Sequence, residues 1–258
     1  MKLALHAWQM GRERDLDTMI GICAESGMVA LELMEHETFR SAIPLDASAG
    51  ERAEIRRKFQ DAGVGIAALS INCRYDWMDA AKVRASIEES MRYVDLAVDV
   101  GAPRLRCLGD QLHEDEGEPK EVTIARVAEA LREVCEYADP RGIDCPIEMH
   151  GKFSPWENAL AVVEQADHPR CYLVHNGTEQ NTPPDRWDEV WARIRPHVKH
   201  VHAHDVLSDR FPYKRFFLTL RDSGYDGLVC FELAPSDDPV RVCRLTRALV
   251  EEWLARGA

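Results

Sequence analysis

An amphipathic stretch that ends at glycine, a residue or two more, and then a short apolar run: this unit recurs along the chain and is what most restricts its fold. Gly27 leads into VALELM, Gly63 into GIAALSI, Gly101 into PRLRCL, Gly142 into DCPIEM and Gly224 into YDGLVCFEL. A glycine just past a helix end closes it in the left-handed conformation, so each case reads as a helix-to-strand loop. Between Asp79 and Gly101, Val83, Ile87, Met91, Val94 and Val98 fall on one helical face, with Asp79 as the N-cap. Strands are predicted near 2–7, 29–34, 65–71, 104–108, 144–150, 171–176, 198–204 and 228–233, with helices between them and a last helix from Asp237 to the end.

Eight strands in strict alternation with helices imply parallel strands joined by right-handed crossovers. The economical closure is a single-domain α/β (β/α)8 TIM barrel over residues 1–258, a fold that typically needs about 250 residues. The competing arrangement is an open doubly wound sheet. No strand is followed by GxGxxG or GxxxxGK[ST], and no serine sits in a GxSxG elbow, which removes the usual dinucleotide, P-loop and hydrolase readings. The one loose connection is Asp110 to Lys120, a polar loop after the fourth strand.

Composition narrows the partners. The chain carries 32 Lys and Arg against 45 Asp and Glu, a net charge of −13, and has no dense basic run, which argues against nucleic acid. Apolar runs of about eight residues fall well short of the ~20 needed to cross a bilayer, and MKLALHAWQM reads as a mature start, so a cytoplasmic location is expected. Cys23, Cys73, Cys107, Cys135, Cys145, Cys171, Cys230 and Cys243 are scattered without CxxC pairs and read as buried reduced thiols.

In such a barrel the functional groups sit at the C-terminal ends of the strands, where this sequence places its least expected residues. The fifth strand reads CPIEMHG, the sixth CYLVHNG, the seventh VKHVHAHD and the eighth LVCFELAP. Strands buried on both faces leave Glu148, His202 and Glu232 in need of partners. By parity, His200, His202 and His204 face the interior while Val201 and Ala203 face the helices, and Glu148 shares a face with His150. His175 and Asn176 point opposite ways, and periodicity does not choose between them. Two carboxylates, an imidazole and one further oxygen or nitrogen ligand suit Mn²⁺, Mg²⁺, Co²⁺ or Zn²⁺. The alternative is an ion-paired core in which Glu148 and Glu232 meet an inward cation such as Arg106.

These residues resemble the xylose isomerase-like TIM barrels of the sugar phosphate isomerase/epimerase type. The resemblance spans essentially the whole chain and is carried by IEMHG around Glu148, LVHNG, VKHVHAHD around His202 and GYDGLVCFE ending at Glu232. It implies a divalent metal held by Glu148, Asn176, His202 and Glu232, with Glu148 and Glu232 as the acid/base pair. Asn176 departs from the family's Asp, so that the amide oxygen ligates more weakly, His175 takes its place, or the metal is lost. His204 stands where many relatives have Lys, and SDRFPYKRF lacks their glycine-rich segment.

The resulting expectation is an isomerase or epimerase of a sugar, keto-sugar or related polyol, working by proton abstraction through a metal-stabilised enediolate. The alternatives are a dehydratase or lyase of a sugar-like or cyclitol substrate, a phosphodiester-cleaving enzyme, and a non-catalytic barrel subunit. His6, Trp8, Arg106, His150 and His204 are expected to contact the substrate. Glu32, Asn72, Trp156 and Lys214 are further candidates, and the absence of a phosphate-cradling glycine loop favours an unphosphorylated substrate. Barrels of this kind often form dimers or tetramers, so a homo-oligomer is compatible with the reading.

Overall fold

The computed structural model describes residues 1–256, so the last two positions of the predicted terminal helix, 257 and 258, lie outside the described residues. Eight parallel strands close on themselves in sequence order: β1 (Lys2–His6), β2 (Ala30–Glu35), β3 (Gly65–Arg74), β4 (Leu105–Leu108), β5 (Ile147–Glu148), β6 (Leu173–His175), β7 (Val198–Ala203) and β8 (Leu228–Phe231). Pairing of β1 with β8, from Lys2 opposite Leu228 to Leu5 opposite Phe231, completes the barrel and excludes the open sheet. The helices are α1 (Leu16–Ser26), α2 (Ala49–Ala62), α3 (Ala80–Val100), α4 (Lys120–Ala138), α5 (Trp156–Ala166), α6 (Trp187–Ile194), α7 (Tyr213–Asp222) and α8 (Pro239–Arg256). No helix among the described residues is long and apolar enough to cross a membrane.

The local signals act as expected. Asp79 caps α3 by accepting from the Ala81 N–H, and Gly27 and Gly101 close α1 and α3 at φ 76° and 85°. The shortest strand is β5, two regular residues where seven were predicted. Pro146 has no N–H to give β4, so regular pairing starts only after it, although the Cys145 N–H still donates to the Arg170 carbonyl at 3.0 Å and the Pro146 carbonyl accepts from the Cys107 N–H at 2.9 Å. The connection from Asp110 to Lys120 is tied down: the Gln111 N–H donates to Asp76 Oδ2 at 3.0 Å, His113 Nε2 meets the Asp76 carbonyl at 2.9 Å, and Glu114–Glu116 form a short 3-10 turn. All eight cysteines are free and buried.

Alternation along β2 turns Ala30, Glu32 and Met34 into the barrel and Leu31, Leu33 and Glu35 toward the helices. Ala4, Ala30, Ala67 and Cys230 form a cluster apart from the main apolar core, which lies between strands and helices. Glu35 is buried in that outer layer, where Oε2 accepts from the Ile43 N–H at 2.9 Å and Oε1 has no partner. Burial pushes its carboxyl up from 4.5 to about 8, against the lowering effect of the Ile43 bond. The unfolded chain releases this proton above pH 4.5 while the folded chain keeps it to about pH 8. Stability contributed by protonated Glu35 is therefore lost as pH rises through that window, at on the order of 1 kcal/mol per pH unit. Glu35→Gln should flatten the pH dependence of urea unfolding between those limits; an unchanged slope would show that Glu35 does not keep its proton.

Candidate functional site

The C-terminal ends of the strands enclose a cavity of about 310 Å³ lined by His6, Trp8, Gln9, Met34, Asn72, Arg106, Leu108, Glu148, His150, Asn176, His204 and Glu232. Beneath it His202 is fully buried, with Nδ1 3.2 Å from Glu148 Oε1 and 3.3 Å from Glu232 Oε1. Its other nitrogen, Nε2, lies 3.1 Å from Glu32 Oε1. Burial alone would strip the charge from this imidazole, but Glu32 and Glu148 outweigh it and hold its pKa well above the usual histidine value. One ring thus joins three carboxylates from three strands.

The two cavity carboxylates differ. Glu148 Oε2 is 3.1 Å from Arg106 Nε, while Oε1 is left facing His202. Burial raises the Glu148 carboxyl, but Arg106 and then His202 more than offset this and hold it below the ordinary carboxylate range. Glu232 pairs with no Lys or Arg among the described residues; its neighbours are His202, His204 Nδ1 at 3.5 Å and His6 Nε2 at 3.8 Å. The ion-paired core is thus realised for Glu148 alone.

Donor chemistry tests whether a divalent ion fits. Glu148, His202 and Glu232 each offer a ligand atom within 4.8 Å of the others, a set of two oxygens and one nitrogen that suits such an ion. Asn176, the fourth expected ligand, lines the same cavity, and its Oδ1 lies 3.0 Å from His204 Nε2. His175 takes no part. It points into the helix layer, stacked on Phe216 at 4.7 Å with Nε2 2.8 Å from Thr182 Oγ1, and burial pushes its pKa down to about 3. Substitution of His175 for Asn176 is therefore excluded.

Two features set Asn176 in place. A Cβ on Gly177, at φ 53°, would come within 2.8 Å of the His202 carbonyl, so only glycine lets the end of β6 approach β7 this closely. Buried Asn181 accepts from the Asn176 N–H at 2.6 Å and donates to the Met149 and Ser154 carbonyls at 3.2 and 2.9 Å, tying the ends of β5 and β6 together.

Of the expected substrate contacts, His6, Trp8, Asn72, Arg106, His150 and His204 line the cavity, whereas Glu32, Trp156 and Lys214 do not. Trp156 packs partly buried against the core at the start of α5, and Lys214 is exposed on α7. Glu32 is fully buried behind His202. The Trp8 N–H donates to His6 Nδ1 at 2.9 Å, which puts the ring proton on Nε2, a buried donor without a hydrogen-bond partner. Asp110 holds His150 through a 3.0 Å contact with Nδ1, and this bond draws the Asp110 carboxyl down to about 2. Sequence patterning did not single out Asn181, Gln9, Met34 or Leu108. Asn181 and Gln9 lie in loops without periodicity, and Met34 and Leu108 read as ordinary core residues.

The family profile described as "Xylose isomerase-like TIM barrel" matches residues 20–249. Solved structures align over nearly the full length at low identity. D-psicose 3-epimerase in the presence of D-fructose is 19% identical, with TM-score 0.80 over 98% of this chain and 99% of that one. L-ribulose 3-epimerase is 18% identical, with TM-score 0.81 over 99% and 95%. A xylose isomerase-like TIM barrel protein from Mycobacterium smegmatis in complex with magnesium is 18% identical, with TM-score 0.69 over 98% and 96%. At these identities the structures speak for the shared fold, while the profile covers most of the sequence: the chain belongs to the xylose isomerase-like TIM barrel family.

Proposed function

We propose that this protein is a divalent-metal-dependent isomerase or epimerase of a sugar, keto-sugar or related polyol. The observation that carries the reading is the convergence of Glu148 Oε1 and Glu232 Oε1 on one imidazole nitrogen, at 3.2 and 3.3 Å, below a cavity of monosaccharide size. Sugar epimerases among the structurally similar proteins, and the magnesium in one of them, agree with it.

Glu148, His202 and Glu232 would hold the ion, with Asn176 as a neutral fourth group. When bound, such an ion supplies Lewis-acid polarisation of a substrate carbonyl. The protein's own groups then move the proton. Glu232, without a guanidinium partner to occupy its oxygens, takes the proton from the carbon beside the carbonyl. Glu148, held as a carboxylate by Arg106 on Oε2, passes a proton taken from solvent back to that carbon. His6 Nε2–H and His204 are placed to hold substrate oxygens, and the partly exposed face of Trp8 suits the C–H surface of a sugar. Among the described residues Arg106 is the only Lys or Arg lining the cavity and is already paired, which favours an unphosphorylated substrate.

Incubation of the Mn²⁺-loaded protein with a panel of ketopentoses and ketohexoses in D2O tests the reading. Deuterium should enter recovered sugar at carbon without loss of water, and a chelator should abolish it. A dehydrated, unsaturated product, or no exchange with any sugar of the panel, would overturn the proposal.

A further inference from the structure

Below the cavity, Glu32 is a fully buried carboxylate that accepts three hydrogen bonds. Ser70 Oγ lies 2.6 Å from Oε1, His202 Nε2 3.1 Å from the same oxygen, and His200 Nε2 2.7 Å from Oε2. The proton positions follow from chemistry. A guanidinium only donates, and Arg104 Nη1 is 2.7 Å from His200 Nδ1, so that nitrogen accepts and the His200 proton sits on Nε2, facing Glu32. Both nitrogens of His200 are then engaged, which leaves no lone pair for a metal shared with Glu32 and Cys230, although those three groups lie close together. Glu32 Oε1 also only accepts, so His202 Nε2 must carry its proton.

A histidine offers a metal ion the nitrogen that its tautomer leaves free. With a proton fixed on Nε2, Nδ1 is the nitrogen whose proton an incoming ion can displace, and it lies between Glu148 Oε1 and Glu232 Oε1. The opposite tautomer would put a proton where the ion must sit. The interior of such a barrel is ordinarily filled by branched apolar side chains, and a charge buried there carries a large desolvation cost. A carboxylate at this position calls for a role that an apolar residue does not fill.

We propose that Glu32 is the positioning residue of the cation site: it fixes the tautomer and ring orientation of His202, and Arg104, acting through His200, holds Glu32 in the register that does so. Carboxylates behind a ligating histidine act in this way in metal sites generally, and their loss typically weakens metal binding about 10–100-fold. The inference rests on the reading that Glu148, His202 and Glu232 bind a divalent ion.

Zn²⁺ titration of wild type, Glu32→Gln and Ser70→Ala, with a competing chromophoric chelator, tests it. Ser70→Ala removes a bond to the same carboxylate without touching His202. Wild type and Ser70→Ala should bind one Zn²⁺ per chain with similar affinity, and Glu32→Gln should bind about 10–100-fold more weakly. A measurement that does not depend on the variant folding is the ¹⁵N histidine spectrum of Zn²⁺-loaded wild type, with His202 assigned by its loss in His202→Gln. The expected signature is a protonated Nε2 and a metal-bound Nδ1. Zn²⁺ on Nε2, or Glu32→Gln binding as tightly as wild type, would overturn the role of Glu32 alone. A wild type that binds no Zn²⁺ would overturn both this inference and the functional reading.

Discussion

Glu232→Gln is expected to lower turnover of any sugar the protein accepts by roughly 10³-fold while leaving the barrel folded, because it removes a proton acceptor and no Lys or Arg partner. Its neighbours are imidazoles, and His202 keeps Glu32 and Glu148 as partners when Glu232 becomes an amide. Glu148→Gln should lose turnover to a similar degree for the same reason, but with a second effect. It strips the countercharge from Arg106, which is 5% exposed, and so should also lower the unfolding midpoint. The pair of variants separates chemistry from stability: equal loss of deuterium exchange, with unequal loss in urea unfolding. Exchange retained within about tenfold of wild type in Glu232→Gln would remove it as the base, since positioned general bases contribute about 10²–10⁴-fold.

The largest effect on stability is expected from Arg106→Leu. Arg106 and Glu148 are both nearly inaccessible, with Nε 3.1 Å from Oε2. Breaking a buried pair from one side leaves the other charge uncompensated, at a cost of about 3–5 kcal/mol. His202 still faces the remaining carboxylate at 3.2 Å, which places the expectation toward the lower end. Arg106→Leu combined with Glu148→Leu should recover much of that loss, because two apolar side chains leave no stranded charge. Urea unfolding of the two single variants and the double variant gives the coupling directly. A double variant no more stable than the sum of the single losses would mean that Arg106 acts through packing and not through its charge.

The fold was legible because its determinants are local. Helix caps such as Asp79, closing glycines such as Gly27 and Gly101, and the strand-by-strand alternation each act within a few residues, and together they specify eight βα units. The inward direction of His200 and His202 was legible for the same reason, since a strand's side chains alternate whatever surrounds it. β5 was overestimated because Pro146 lacks the N–H that regular pairing with β4 needs, so the strand proper begins at Ile147, although Cys145 and Pro146 still hydrogen-bond to the neighbouring segments.

The sequence by itself therefore determined the barrel, the end at which its polar side chains gather, and the inward face of most strands. Tertiary structure decided who meets whom. Glu32 and His200 are 168 residues apart in sequence, and Glu32 and His202 are 170 apart. Whether they meet depends on the stagger between strands when the sheet closes, which no periodicity within a strand encodes. The same holds for the choice of Asn176 over His175. That choice rests on the close approach of Gly177 to the His202 carbonyl and on the clamp of Asn181 across β5 and β6. Alternation selects a face for each side chain, whereas only closure of the barrel brings those faces to one point.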